Sequence, residues 1–177
     1  MMSRLLRLLR HRCFDEGTLR RTFPAPMRAR LQAYVHACEQ HHSGEIRIFI
    51  EAGLPTSYLL RKASAPEIIR QRALTLFGKL RVWDTEHNNG VLIYLLLAER
   101  AIEIVADRGV QRHLGPAQWQ ALVGDMRMAF REERFEAGLV QALDAITAVL
   151  REHFPLAPLN PNPNELPDAL VLGEPPA

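Results

Sequence analysis

Side chains that carry oxygen donors are concentrated in the polar stretch Asp84-Thr-Glu-His-Asn-Asn89, which precedes Gly90. They are Asp84, Glu86, Asn88 and Asn89. Carboxylate and amide oxygens are the ligands that Ca²⁺ and Mg²⁺ prefer in proteins. The spacing differs from that of an EF-hand loop, because Gly90 falls one position late and Leu95 stands where a glutamate is needed. The stretch predicts either a cation site or a polar turn in which Asn89-Gly90 supplies positive φ.

Carboxylates from the predicted strands are expected to complete this cation site. Glu103 and Asp107 follow the loop on a later strand, and Glu45 begins an earlier one. We expect the loop to lie where strands end at solvent, a usual place for ligands in open α/β sheets. The predicted ligands of Ca²⁺ or Mg²⁺ are Asp84, Glu86, Asn88, Asn89, Glu103 and Asp107, with Glu45 as a further candidate.

A second group of potential metal ligands lies at the end of the first long predicted helix. Cys38, His41, His42 and Glu45 have a spacing that would suit a zinc ion. The favoured interpretation is structural, because Cys38 belongs to the apolar stripe of the helix. Histidines near a helix C-terminus also interact favourably with its dipole.

Two more side chains near the loop have both a chemical and a structural interpretation. His87 beside Glu86 is placed for general acid–base catalysis, or is a solvated loop residue. Arg108 beside Gly109 is suited to hold a phosphate, or forms a surface ion pair. The motifs of cysteine, aspartate and serine hydrolases and of P-loop enzymes are absent, so no catalytic residue is assigned. A phosphatase built on this chain would therefore depend on a bound metal.

The elements that position these residues follow from apolar periodicity. Strands are predicted at Glu45–Glu51, at Val91–Leu97 and at Ala101–Ala106. A helix with a capping box at Ser64 links the first two, which predicts a parallel crossover, and the tight connection Ala98–Arg100 predicts an antiparallel hairpin. One helix precedes and two helices follow these strands. The order predicts an α/β fold with a small mixed sheet and helices on both faces.

The chain is long enough for one domain, with 177 residues, and its 47% hydrophobic content is ordinary. The net charge of +2 argues against a nucleic-acid partner. The longest apolar run, Val91–Ala98, is too short for a bilayer span, so we expect a soluble, cytoplasmic protein. We expect residues 24–154 to form the folded domain. The proline-rich segment 155–177 is expected to be an extended, disordered tail.

Residues 1–23 form a basic N-terminal segment, in which residues 1–12 are amphipathic. Arg4, Arg7 and Arg10 lie on one side of the helical wheel, and leucines lie on the other. This pattern predicts either leucines docked on the core of the same domain or peripheral contact with the inner face of a membrane. An interrupted leucine run does not fit a signal peptide, so no leader is expected.

The middle of the chain resembles a known family. The stretch from Ala73 to Gly109 contains Val82-Trp83, Asn88-Asn89-Gly90-Val91-Leu92-Ile93, Arg100-Ala-Ile-Glu-Ile and Asp107-Arg-Gly109. Together these segments resemble the TPM domain, a family that includes thylakoid acid phosphatases, photosystem II repair proteins and receptor modulators. Weaker similarity covers roughly residues 30–150. The chain is similar to a short, soluble, bacterial-type member.

The resemblance implies a three-layer αβα sandwich. For some members it implies calcium binding and hydrolysis of phosphate esters, and for others a chaperone-like or assembly role. Asn88-Asn89 stands where an Asp-Asn or Asp-Asp pair is common in the family. Our first hypothesis is a non-catalytic binding or assembly module with a protein partner that the sequence does not identify. The alternative is a Ca²⁺- or Mg²⁺-dependent acid phosphatase-like phosphomonoesterase.

Overall fold

The computed structural model of the chain describes residues 4–156 and 165–173. The helices are α1 (Arg4–Cys13), α2 (Glu16–Thr22), α3 (Ala25–Glu39), α4 (Thr56–Leu59), α5 (Ala65–Lys79), α6 (Arg108–Gln111), α7 (Pro116–Arg131) and α8 (Phe135–His153). The strands are β1 (Glu45–Glu51), β2 (Gly90–Leu96), β3 (Ala101–Ala106) and β4 (Val171–Leu172). Among the described helices, none is both long and apolar enough to cross a membrane.

The strands form one four-stranded mixed sheet in the order β3-β2-β1-β4. β1 is parallel to β2 and to β4, and β2 is antiparallel to β3. The predicted parallel crossover and antiparallel hairpin are both confirmed. Glu45 pairs with Gly90, so β1 and β2 begin at the same side of the sheet, which we call the amino edge. The opposite side, where Glu51 and Leu96 end these strands, is the carboxyl edge.

Two apolar clusters cover the two faces of the sheet. The first joins Ile46, Ile48 and Ile50 of β1 to residues of α3, α7 and α8. The second joins Phe49 of β1 and Tyr94 of β2 to residues of α4 and α5. Alternate residues of a strand face opposite sides, so β2 must be apolar throughout to serve both clusters. The three-layer sandwich predicted from the sequence is confirmed.

The basic N-terminal segment packs on the domain. Leu8 of α1 contacts the second cluster, and Leu19 and Phe23 are buried in the first. Arg7 donates a hydrogen bond from Nη2 to the main-chain oxygen of Leu59, at 2.8 Å. The prediction that the leucines dock on the core of the same domain therefore holds for Leu8. Residues 1–3 and the side chains of residues 4–6 lie outside the description.

The proline-rich tail is ordered where the structure describes its later part. Val171 and Leu172 pair with Phe49 and Ile50, and the N–H of Gly173 donates to Ile50 O at 2.9 Å. The prediction of a disordered tail is therefore wrong for residues 165–173, because β1 offers this segment an unpaired edge. Residues 157–164 and 174–177 of the predicted tail lie outside the described residues.

Candidate functional site

The polar loop lies at the amino edge of the sheet. It leads into Gly90, which pairs with Glu45 at the start of β1 and whose main-chain oxygen accepts the N–H of Asp107 at 2.8 Å. Ligands in open α/β sheets bind beyond the carboxyl ends of parallel strands. The argument that the loop occupies such a position is therefore wrong, since it precedes β2 rather than following it.

The loop turns at Asn88, which has φ of 52°. Positive φ was expected at Asn89-Gly90, but only Asn88 adopts it within the loop. A Cβ atom at Gly90 would overlap the main-chain oxygen of Val82, so this glycine allows a close approach of two backbone segments. Asn88 Oδ1 accepts a hydrogen bond from Arg108 Nε at 2.9 Å. The guanidinium of Arg108, which was considered as a phosphate ligand, therefore forms this hydrogen bond rather than an ion pair.

Asn89 fastens the loop to the start of β1. Its side chain is fully buried, and Nδ2 donates to the main-chain oxygen of Ser43 at 2.9 Å. Its main-chain N–H donates to Thr85 Oγ1 at 3.0 Å. Asn89 Oδ1 is buried without a hydrogen-bond partner among the described residues. The Asn89 amide therefore has a structural role, and its Oδ1 atom remains able to accept a hydrogen bond or a cation.

The predicted carboxylates have separate partners. Asp84 forms an ion pair with Arg81. Asp107 caps α6, since its Oδ1 accepts the N–H of Arg108 at 2.6 Å, whereas its Oδ2 is buried without a hydrogen-bond partner among the described residues. Glu86 is exposed. Glu103 pairs with Arg70 at 3.2 Å.

The structure does not bring all six predicted ligands together. Glu103 lies within β3 and Asp107 follows the last residue of that strand, four positions later, which corresponds to about 13 Å along an extended chain. Within the described part of the chain, no group of three or more His, Cys, Asp or Glu side chains is arranged to hold a metal ion. Near the loop, the buried oxygens that lack a hydrogen bond to any described residue are Asn89 Oδ1 and Asp107 Oδ2.

The residues considered for zinc face different surroundings. The Cys38 thiol is buried near Thr147, and burial raises its pKa. His42 is also buried, and its Nδ1 lies 3.0 Å from Gly44 O. Burial lowers the pKa of His42 to about 4. The Glu45 carboxylate instead accepts the N–H groups of residues 165 and 166, both at 3.1 Å.

Sequence analysis missed a polar cluster beneath the C-terminal segment. The carboxyl groups of Glu39 and Asp168 lie near each other, and Arg47 Nη1 donates to the main-chain oxygen of Pro167. Asp168 also contacts His36 at 2.9 Å. The alternation of polar and apolar residues in β1 was the available signal. The burial of Glu45 and Arg47 was not evident, because the segment that covers them was expected to be disordered.

A second missed cluster lies at the carboxyl edge. Arg72 forms a bidentate pair with Glu51, with distances of 3.1 and 2.7 Å, and Tyr94 Oη donates to Glu51 at 2.7 Å. Glu51 and Arg72 line a cavity of about 470 Å³. Near this edge, His11 of α1 contacts Glu99 at 2.9 Å. The buried ion pair satisfies its own charges, which favours a structural role.

The fold and the loop define a small three-layer α/β domain with a polar loop at the amino edge of a mixed sheet. The family model of the TPM domain matches residues 18–149. The chain therefore belongs to the TPM domain family.

Solved structures show the same fold. The chain is similar to the BA42 protein of Bizionia argentinensis, with 23% identity and a TM-score of 0.69, over 84% of this chain and 94% of that one. It is also similar to the N-terminal domain of a P. gingivalis protein, with 20% identity and a TM-score of 0.52, over 75% and 81% of the two chains. No curated protein matches the sequence.

Proposed function

We propose that this TPM-domain protein is a binding or assembly module that holds a partner protein and does not catalyse a reaction. The observation that carries the proposal is a groove beside β3, the first strand in the sheet order. A cavity of about 490 Å³ forms this groove and is lined by Arg70, Trp119 and Arg127. Grooves that combine apolar and charged side chains are suited to bind an extended chain.

The contacts of the polar loop support the same proposal. Asp84 pairs with Arg81, Asn88 accepts from Arg108, and Asn89 donates to Ser43. The contacts of Asn88 and Asn89 hold the loop against neighbouring segments of the domain, so these hydrogen bonds stabilise the fold. A module of this kind needs a rigid frame behind its binding groove, and the loop contributes to that frame.

A Ca²⁺- or Mg²⁺-dependent phosphomonoesterase is the second candidate function. The specific observation in its favour is the pair of buried oxygens Asn89 Oδ1 and Asp107 Oδ2, which lack hydrogen-bond partners among the described residues. Ca²⁺ takes six to eight oxygen ligands, so two such atoms do not form a complete site. The described residues therefore do not fit a resident cation as they stand, and no catalytic step is derived through one.

The test compares the two candidates on the purified chain. Hydrolysis of p-nitrophenyl phosphate and heats of Ca²⁺ and Mg²⁺ binding are measured for the wild type, for Asp84→Ala and for the exposed control Glu152→Ala. The binding module predicts no hydrolysis that depends on added metal and no saturable heat. Metal-dependent hydrolysis that is lost in Asp84→Ala and kept in Glu152→Ala would overturn the proposal and establish the phosphatase.

A further inference from the structure

Residues 165–173, which we call the C-terminal segment, cover the edge of β1 that faces away from β2. Val171 and Leu172 pair in parallel with Phe49 and Ile50. Because these two residues form β4, the last strand in the sheet order, β1 would be an edge strand without the segment. The match to the TPM domain ends at residue 149, so the segment lies beyond the part of the chain that the family model covers.

Groups of the domain hold the main chain of the C-terminal segment. The Glu45 carboxylate accepts the N–H groups of residues 165 and 166, both at 3.1 Å. Arg47 Nη1 donates to the main-chain oxygen of Pro167, and Ile50 O accepts the N–H of Gly173 at 2.9 Å. Recognition of main-chain groups along a strand edge is one way in which domains bind extended peptides. The contacts of the segment are therefore those of a bound peptide.

Apolar side chains fix the position of the segment along the edge. Leu166 is buried in the second cluster, and Val171 packs against the same cluster. Leu170 and Leu172 pack against the first cluster, on the other face of the sheet. Of these four side chains only Leu166 is buried, and the other three are half-buried. The segment thus has one apolar anchor at its start and a short, partly exposed strand at its end.

The fit of the segment to the domain is imperfect around Asp168. Asp168 Oδ2 lies 2.9 Å from His36 Nδ1, whereas Oδ1 is buried without a hydrogen-bond partner among the described residues. Arg47 Nε is also buried without such a partner. The carboxyl groups of Glu39 and Glu45 lie near that of Asp168, so the segment adds a third acidic group to this cluster. Unsatisfied polar atoms and neighbouring acidic groups weaken the contact.

We propose that the β1 edge is a binding site for an extended segment of a partner protein, and that the C-terminal segment is its tethered, replaceable occupant. The partner segment would run parallel to β1, with apolar residues at the places of Leu166, Leu170 and Leu172. At the place of Asp168 it would carry a neutral amide, which removes one acidic group from the cluster and still donates and accepts hydrogen bonds. This surface is separate from the groove beside β3, so the inference goes beyond the proposed function.

The tether determines how strongly a partner must bind. A linker joins the segment to α8 and keeps it at an effective concentration on the order of millimolar, so a free peptide competes with a nearby occupant. A peptide with the sequence of the segment should therefore bind the wild type weakly. It should bind more tightly to a variant whose own segment is damaged, because the competent state is then populated. This difference distinguishes a replaceable occupant from a fixed part of the core.

Hydrogen exchange of the ¹⁵N-labelled wild type tests whether the segment leaves the edge. We expect the amides of Leu166 and Gly173 to exchange at least about tenfold faster than those of Ile93 and Tyr94 in β2, because local release needs less free energy than global unfolding. Equal protection of the two pairs would overturn the inference, since the segment would then open only with the whole domain.

Fluorescence anisotropy of the labelled, end-blocked peptide ELPDALVLG tests whether an extended chain takes the place of the segment. The variant Leu166→Asp with Leu172→Asp places charges where the edge offers apolar surface. We expect this variant to bind the peptide about tenfold more tightly than the wild type does. Ala169→Asp adds a charge at an exposed position of the segment and should bind as the wild type does. The amide peptide ELPNALVLG should bind more tightly than ELPDALVLG.

Three results of the peptide assay would overturn the inference. They are the absence of saturable binding to the folded double variant at millimolar peptide, equal affinity of wild type and double variant, and equal or weaker binding of the amide peptide. A wild-type dimer that becomes a monomer in the double variant would overturn it in favour of exchange between two copies of the chain. Hydrogen exchange decides the inference on the wild type if the double variant does not fold. Failure here is distinct from failure of the proposed function, which is decided by the hydrolysis and metal-binding assays.

Discussion

Glu39 Oε1 accepts the main-chain N–H of Ile46 at 2.9 Å, so the last residue of α3 is joined to the second residue of β1. The carboxyl group is almost fully buried, and burial raises its pKa to about 9. The nearby carboxylates of Glu45 and Asp168 act in the same direction. Glu39 is therefore protonated in the folded protein at neutral pH.

The first prediction concerns Glu39 and alkaline pH. In the unfolded chain the carboxyl ionises near 4.5, whereas in the folded protein it stays protonated up to about 9. Its contribution to stability is complete below pH 4.5 and is lost as the pH rises towards 9, with a slope of up to about 1.4 kcal/mol per pH unit. We expect Glu39→Gln to retain the acceptor oxygen and to reduce this slope.

Urea unfolding at pH 5, 7 and 8.5 checks this prediction. Glu39→Gln should gain stability relative to the wild type as the pH rises. The exposed control Glu152→Gln should follow the wild type. Equal slopes for wild type and Glu39→Gln would contradict the assignment of a protonated, buried carboxyl group.

The second prediction concerns His42 and acidic pH. Burial lowers the pKa of this imidazole from 6.5 to about 4, so the folded protein keeps it neutral where the unfolded chain binds a proton. Its contribution to stability is complete above pH 6.5 and is lost as the pH falls towards 4. We expect His42→Asn to be less stable at pH 7, because it leaves a cavity, and to lose less stability between pH 7 and 5.

Urea unfolding at these two pH values distinguishes His42 from the other histidines. The exposed loop residue His87 provides the control, and His87→Asn should keep the wild-type loss. A loss in His42→Asn as large as that of the wild type would show that another group causes the acid sensitivity.

The third prediction concerns the close approach of Gly90 to Val82. Gly90→Ala adds a methyl group that overlaps the Val82 carbonyl, and backbone atoms cannot move aside as a flexible side chain can. We expect a loss on the order of 3 kcal/mol. Gly78→Ala is the matched control: its added methyl group has no atom within 4 Å, and it lies inside α5. That change should stabilise the helix by about 0.5–1 kcal/mol. Thermal unfolding of both variants checks the contrast, and similar effects of the two substitutions would contradict it.

The fourth prediction concerns the buried pair of Glu51 and Arg72. Arg72→Met leaves the Glu51 carboxylate buried without its cation, and we expect a loss of about 3–5 kcal/mol. Adding Glu51→Gln should recover part of that loss, because the uncompensated charge is removed. The exposed pair of Arg30 and Glu136 is the control, and its coupling energy should stay below about 1 kcal/mol. Double-mutant cycles measure both couplings, and equal values would contradict the structural role of the buried pair.

The fifth prediction concerns α1 and the membrane. Arg10 Nη2 lies 2.8 Å from Glu99, and Arg7 bonds to Leu59 O, so both guanidinium groups already have partners on the domain. We expect the protein not to sediment with vesicles that contain 30% phosphatidylserine. Sedimentation that is lost in Arg7→Ala with Arg10→Ala would instead support the membrane contact predicted for residues 1–12. Lys62→Ala controls for a general loss of positive charge.

The secondary structure of the sheet could be predicted from the sequence because its signals are local. Strands Glu45–Glu51 and Ala101–Ala106 have the bounds expected from apolar alternation. The capping box at Ser64 forms as expected, with Glu67 Oε2 accepting the Ser64 N–H at 2.8 Å. The pairing of the strands could also be predicted from the sequence, because the crossover and the short hairpin leave few alternatives. The sequence by itself thus determined the α/β class and the mixed sheet.

Only the tertiary structure decided which side chains meet at the amino edge. Glu45 accepts the N–H groups of residues 165 and 166, which are 120 and 121 positions away in the chain. Composition predicted disorder for that segment, because proline-rich chains bury little apolar surface by themselves. Asp84 and Glu103 were assigned to one cation site because both are carboxylates. In the structure each of them pairs with a different arginine, which the sequence did not predict. Such contacts depend on the distances that the whole packed chain imposes, and local periodicity does not encode them.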